Sequence, residues 1–272
     1  MHSSPQPGSA DSLNVIFVHG WACGWQDWSN VTSLLPDSIQ IGIVKLPGSP
    51  EAISLEGAIS LNECAAHIIE YANELDFDRF ALIGHSMGAR IAIELASNWQ
   101  ERVSHLLLLD GSNVPENPDD AVVRMSNQLS QLGQQEWSKT LVESMMVNNL
   151  DQSQKKNIIN RASQYSIDVL KSYYYAMAEW DSDNFVSAVD QLNCPVTIFQ
   201  STSLDKNEVR QSVTNNPKSL WIDILSTRVP LTMIKLVPNT GHFIMFERPQ
   251  LIVDWVEEIL QIDHDVHAEK SN

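Results

Sequence analysis

The chain has little positive charge. It carries 17 Lys and Arg against 34 Asp and Glu over 272 residues, a formal net charge of −17. A nucleic-acid binder needs a basic face to neutralise phosphates, and so does a protein that docks on anionic membranes. Neither class of partner is expected. The deficit favours a chain whose copies repel one another. It also biases mildly against polyanionic substrates, unless a local basic patch overrides it. Cysteine is scarce too. Cys23, Cys64 and Cys194 form no C-x-x-C pair and no closed disulfide framework. A zinc site is therefore not expected, and free thiols suit a reducing compartment. No apolar run reaches membrane-spanning length. The first residues, Met-His-Ser-Ser-Pro-Gln-Pro-Gly-Ser-Ala, lack the basic start and apolar run of a secretory signal. A cytoplasmic location is expected. There is no G-x-G-x-x-G, no P-loop, and no His and acid cluster at ligand spacing, so neither a cofactor nor a metal is expected. Oligomeric state is left open.

What is present is a real core, with hydrophobic residues at 43%. The runs 14–18, 39–44, 80–83, 103–109, 196–200 and 232–237 are short, β-branched and nearly continuously apolar, as parallel strands covered on both faces should be. Helical patterns alternate with them. The stretch 61–75 follows Ser60 and Glu63 in capping-box spacing. In 87–99, Met87, Ile91, Leu95 and Trp99 form one stripe. Pro217 and Pro249 sit where helices should begin. Such alternation gives an α/β fold with a mostly parallel, doubly wound sheet of about six strands. From 113 to 184 there is no convincing strand. Helices are expected at 119–132, 135–147, 152–165 and 167–179, because a stretch this long cannot be a loop in a compact domain. The expected division is a core of 13–112 and 185–262, a helical cap of 113–184, and flexible termini at 1–12 and 263–272.

After the third strand comes Gly84-His85-Ser86-Met87-Gly88, then a helix. This is G-x-S-x-G in its strand–turn–helix setting. The strained turn lifts the Ser86 hydroxyl clear of the backbone. Side chains two residues before or after it would collide with neighbouring elements. The Met87 N–H, at the helix start, faces the place where an oxyanion forms. A serine hydroxyl needs a neighbouring base, and a near-neutral imidazole suits the task. Outside the Ser86 elbow itself, His242 alone of the eight histidines follows both a glycine and a strand, in Asn239-Thr240-Gly241-His242-Phe243.

From residue 13 to about 262 the chain resembles the α/β-hydrolase superfamily. The resemblance rests on His19-Gly20-Trp21 after the first strand, the Ser86 elbow, and Gly241-His242-Phe243 followed by Glu247-Arg248-Pro249. It implies a catalytic role for Ser86 and His242. It also implies an oxyanion hole built from the Trp21 and Met87 backbone N–H groups. His19 is read as a hydrogen bonder that fixes its loop. Trp25 and Trp28, three apart, are read as burying one helix face.

The triad acid has two candidates. Most members carry it in the loop after the strand that follows the cap. There this chain has Gln200-Ser201-Thr202-Ser203-Leu204-Asp205, without the usual glycine. The rival is Asp110, at the end of the strand before the cap, where some relatives, including cofactor-independent dioxygenases, place it. Two further departures stand out. Too few residues precede the first strand for the family's opening antiparallel hairpin, and the D-x-P-G turn appears as Lys45-Leu46-Pro47-Gly48. The resemblance thus implies a serine hydrolase acting on a small-molecule ester, thioester or lactone through an acyl-enzyme. The cap's aromatics suggest an apolar or aromatic acyl part, although each of them singly is better read as packing. The family's dehalogenases and epoxide hydrolases use an Asp nucleophile, which Ser86 argues against. The alternative is a cofactor-free dioxygenase or C–C lyase that uses His242 with Asp110 as base.

Overall fold

The computed structural model describes residues 13–52, 59–147, 150–204, 210–215 and 219–270, with side chains given as far as 262. Strands β1 (Leu13–Val18), β2 (Ile39–Ile43), β3 (Phe80–His85), β4 (Val103–Leu109), β5 (Val196–Gln200) and β8 (Thr232–Leu236) form one sheet in the order β2-β1-β3-β4-β5-β8. Every pairing in it is parallel. The central strands are the most apolar, and β3 is buried along its whole length. That is why they read as continuous runs rather than as alternation. At the edge, β8 leaves Met233 and Ile234 exposed.

Helices α1 (Ser29–Thr32), α2 (Leu61–Glu74) and α3 (Met87–Asn98) follow the first strands. The Ser60–Glu63 capping box closes reciprocally at the start of α2. Five helices then join β4 to β5: α4 (Pro118–Leu132), α5 (Gln134–Ser144), α6 (Gln152–Ala162), α7 (Ile167–Asp183) and α8 (Phe185–Asp190). Asn117, Asp151 and Ser166 cap α4, α6 and α7 with side-chain oxygens. The first four of these helices lie where the periodicity puts them, within a few residues at each end. Helix α8 was not foreseen.

Polar contacts hold this insertion to the sheet layer. Arg90 on α3 grips Asp181 on α7 with both arms, at 2.8 and 2.7 Å. The pair is buried, so truncating either partner would strand a charge and cost about 3–5 kcal/mol. Trp180 donates to Glu94, Tyr173 to the Pro47 carbonyl and Tyr165 to the Cys23 carbonyl. Most of the insertion's aromatics are therefore packing residues, as their sequence context suggested.

The remaining elements bear on the site. A small antiparallel pair, β6 (Thr202–Leu204) and β7 (Arg210–Ser212), follows β5. At three residues each, these strands are too short to leave a period in the sequence. Helix α9 (Leu220–Arg228) starts after the Ser219 cap, while Pro217 lies outside the described residues. A short α10 (Ile244–Glu247) precedes α11, which opens at Pro249 as expected. Helix α11 continues to Lys270, and no Gly or Pro interrupts it. Residues 1–12 lie outside the described residues. No helix among the described residues is long and apolar enough to cross a membrane.

Candidate active site

Strand β3 runs two residues further than its apolar run, up to His85, because its ladder with β4 continues to the His85–Leu109 pair. The next residue on each strand is a candidate: Ser86 after His85, and Asp110 after Leu109. The sheet thus brings them side by side, and the Ser86 N–H donates to the Leu109 carbonyl at 3.0 Å. Ser86 has φ 56° and ψ −113°, a conformation that L-residues rarely adopt. The flanking glycines make that turn possible. A Cβ at Gly84 would lie 2.3 Å from the Gly88 carbonyl oxygen, and one at Gly88 2.4 Å from that of Val18. Both contacts are with backbone, which cannot swing aside. Met87 is the first residue of α3, where backbone N–H groups have no helical partner. The Gly20 backbone packs on the elbow so closely that a Cβ there would sit 3.2 Å from the Ser86 Cβ. This seats the Trp21 loop against Ser86.

His242 lies in the turn between β8 and α10 and is buried. Glu247 accepts from the Gly241 N–H at 2.8 Å, and the His242 N–H donates to the Met145 carbonyl at 2.9 Å. The glutamate of the E-x-P segment is thus what folds this turn. His85 packs its ring 4.5 Å from that of His242 and donates from Nε2 to the His242 carbonyl. The His242 Nδ1–H donates to Asp110 Oδ2 at 2.6 Å. That bond fixes the tautomer and leaves Nε2 with its lone pair.

Asp110 is fully buried, with φ 45°. Its Oδ1 accepts from the backbone N–H groups of Ser201 and Thr202 at 2.8 and 2.6 Å, and from the Gln200 amide at 3.1 Å. Its Oδ2 accepts from the Thr202 hydroxyl at 2.5 Å and from Arg210 Nη1 at 3.3 Å. Burial alone would raise its pKa. The donors, led by His242 and joined by Arg210 and Thr202, outweigh burial and hold the carboxyl down to about 2. Burial and the nearby Arg210 push His242 down to about 4 against the pull of Asp110. At neutral pH the pair is an ionised acid and a neutral base.

Ser86 opens into a cavity of about 200 Å³. Trp21, Leu141, Met145, Tyr174 and Met177 supply its apolar wall. Trp21 stacks on Tyr174 with ring centroids 5.0 Å apart. Arg90, Arg124 and Arg210 also line it, with Glu116 and Asp181. Composition and motifs do not point to this charged wall. One clue existed: Arg90 stands one helical turn after Ser86 and so shares its face of α3. For Arg210 and the Gln200–Thr202 cradle there was none, since they meet Asp110 only through the fold.

The other candidates fall as follows. Asp205 lies outside the described residues. His19 accepts at Nε2 from the Leu46 N–H and bonds through Nδ1 to the Gly20 carbonyl, which makes it the loop fixer it was read as. Burial lowers its pKa to about 4. Trp28 is buried against Phe17, whereas Trp25 is only half-buried and donates to Glu51. Of the two residues expected to bury one face, only Trp28 is fully buried, although a 3-10 turn puts both on the same side. Lys45, in the altered D-x-P-G turn, lies over the Trp25 ring. The three cysteines are buried and free. No group of three or more potential metal ligands exists among the described residues.

A model of the alpha/beta hydrolase family matches residues 15–255. A soluble epoxide hydrolase from Corynebacterium sp. (strain C12) is 20% identical over 264 residues, covering 88% of this chain and 87% of that one. A 2-hydroxy-6-oxononadienedioate/2-hydroxy-6-oxononatrienedioate hydrolase from Pseudomonas putida is 28% identical over 102 residues, 36% of each chain. Among solved structures, an esterase from Exiguobacterium antarcticum superposes with a TM-score of 0.77 at 13% identity, covering 92% of both chains.

Proposed function

The chain belongs to the alpha/beta hydrolase family, and from that premise we propose that it is a serine hydrolase cleaving a carboxylic ester, thioester or lactone. The observation that carries the reading is the buried His242–Asp110 bond beside a serine held in the left-handed elbow. In this mechanism Ser86 attacks the substrate carbonyl and His242 Nε2 takes its proton. Asp110 holds the tautomer and stabilises the imidazolium. The Trp21 and Met87 N–H groups receive the oxyanion. His242 then protonates the leaving group, and water, activated by the same imidazole, resolves the acyl-enzyme. The neutral state of His242 supports its role as base. The apolar wall of the cavity accepts the hydrocarbon part of the acyl group, and residues 113–184 serve as the cap over it.

The epoxide hydrolase relative bears on the fold and not on the nucleophile, because this chain carries serine at the elbow. A chain-length series of p-nitrophenyl esters tests the reading. Wild type should turn over at least one member, and Ser86→Ala should lose that turnover by a factor on the order of 10⁴ or more. No turnover of any member by folded wild type refutes the reading.

The second reading is cofactor-free dioxygenase or C–C bond chemistry at the same residues, with His242 and Asp110 acting as base on a substrate hydroxyl. The Pseudomonas putida relative and the strand-end position of Asp110 favour it. Ser86→Ala separates a dioxygenase, which would stay largely active, from a hydrolase.

A further inference from the structure

Three arginines meet at the Ser86 cavity in a chain with only 17 basic residues. Two of them are matched. Arg90 is held by both oxygens of Asp181. Arg124 binds Glu116 at 2.7 and 2.8 Å and reaches the Tyr174 hydroxyl at 3.2 Å. Arg210 is different. Its side chain is only 13% exposed, and among the described residues its one acidic partner is Asp110, at 3.3 Å through Nη1 alone. The same Nη1 donates to the Thr202 hydroxyl at 2.9 Å. Asp110 has little to give in return, since His242, the Thr202 hydroxyl, two backbone N–H groups and the Gln200 amide already share its two oxygens. Arg210 Nη2 and Nε make no hydrogen bond among the described residues, and the side chain lines the cavity with Ser86. A guanidinium has five N–H donors in a flat fork suited to a carboxylate.

We propose that Arg210 receives a carboxylate of the substrate, so that the preferred substrates are esters of acids that bear a second, free carboxylate. This inference rests on the serine-hydrolase reading and names its substrate class. The apolar wall of Trp21, Leu141, Met145 and Met177 takes the chain between the two carbonyl groups, and the arginine takes the charged end. The net charge of −17 does not oppose this, because the positive charge is concentrated where the substrate sits.

The position of Arg210 has a second consequence. His242 is faced by Asp110 from β4, Arg210 from β7, Arg90 from α3 and His85 from β3. In the empty site, Arg210 opposes protonation of His242. A substrate carboxylate on the free nitrogens offsets that field. The imidazole is then more basic with an anionic substrate bound than without one.

The test compares monomethyl and dimethyl esters of the straight-chain dicarboxylic acids from succinate to suberate, at low salt, with p-nitrophenyl acetate as reference. At its best chain length, wild type should favour the monoester in kcat/KM by roughly 10- to 100-fold, the range of a charge-assisted bond. In Arg210→Gln that ratio should collapse towards one. In Arg210→Lys it should be partly retained. For the monoester, the acid limb of kcat should lie at higher pH than that of kcat/KM, since these report the bound and free enzyme. If Arg210→Gln fails to fold, the free dicarboxylates and their diamides serve as inhibitors of wild type. Inhibition by the diacid and not by the diamide supports the inference, and equal or absent inhibition overturns it. Turnover of p-nitrophenyl acetate without monoester preference, or a ratio unchanged in Arg210→Gln, overturns the inference and leaves the serine-hydrolase reading standing. No turnover of any ester removes that reading, and the inference with it.

Discussion

The two sides of the candidate triad are built by different means. The Ser86 side is backbone. Two glycines, a left-handed residue and a helix start, all within five consecutive positions, place the hydroxyl. The Asp110 side is made of long-range partners: residues 200–202, Arg210 and His242 reach it from 90 to 132 positions away. A turn that only certain residues can adopt leaves a local signature. A cradle assembled by the fold leaves none, because the serine, threonine and glutamine that form it are ordinary residues anywhere else.

The largest effect should come from removing the charge on the cradle side. Asp110→Asn preserves the shape but loses the ionised acceptor, so kcat should fall by a factor on the order of 10⁴. Asp205→Asn should change kcat little. Steady-state kinetics on both variants would show it, and the opposite ranking would move the acid to Asp205.

Next comes the backbone side. Gly88→Ala forces a methyl to within 2.4 Å of the Val18 carbonyl oxygen. It should cost about 1–3 kcal/mol or more of stability, and activity should fall more than stability does. Denaturant melts read beside kcat would establish this. A variant with normal melting and normal kcat would mean that the turn tolerates a side chain.

The buried histidines give a smaller, graded effect. His19 and His242 are held at about 4, and His85 well below its ordinary value, each chiefly by burial. Their ordinary value in the unfolded chain is about 6.5. Between those values the unfolded chain binds protons that the fold excludes, so stability should fall as pH drops from 6.5 towards 4. The slope should approach about 1.4 kcal/mol per pH unit for each such group. Asp110 adds its own loss mostly below that window, as the unfolded carboxyl takes up protons around its ordinary value of 3.8 while the folded one resists down to about 2. A Tm that stays flat from pH 7 to 4.5 would contradict the burial of these rings.

The smallest effect should be Thr202→Val. It removes the 2.5 Å hydroxyl bond to Asp110 and the acceptor for Arg210, yet leaves the two backbone donors in place. A loss in kcat of about 3- to 10-fold is expected. A loss as large as that of Asp110→Asn would mean that the hydroxyl and not the backbone holds the acid.

This contrast also explains what could be read from the chain beforehand. Six strands were visible because burial on both faces writes apolar runs such as Leu106–Leu107–Leu108–Leu109. Four helices of the insertion were visible from their period. Ser86 and His242 were visible because Gly84, Gly88 and Gly241 are required where they stand. Asp110 could be named but not separated from Asp205, since an aspartate at a strand end also serves as a turn former. Strands β6 and β7 escaped notice because three residues carry no period, and with them went Arg210, whose meaning depends on a partner 100 positions away.

The most direct test of the central claim is the intact mass of the protein after treatment with a fluorophosphonate, followed by peptide mapping. A serine activated by His242 and Asp110 should gain one adduct per chain, on the peptide containing Ser86. Ser86→Ala should gain none, and His242→Ala should react far more slowly. A folded wild-type protein that stays unmodified, or is modified at another residue, would contradict the assignment of Ser86 as nucleophile.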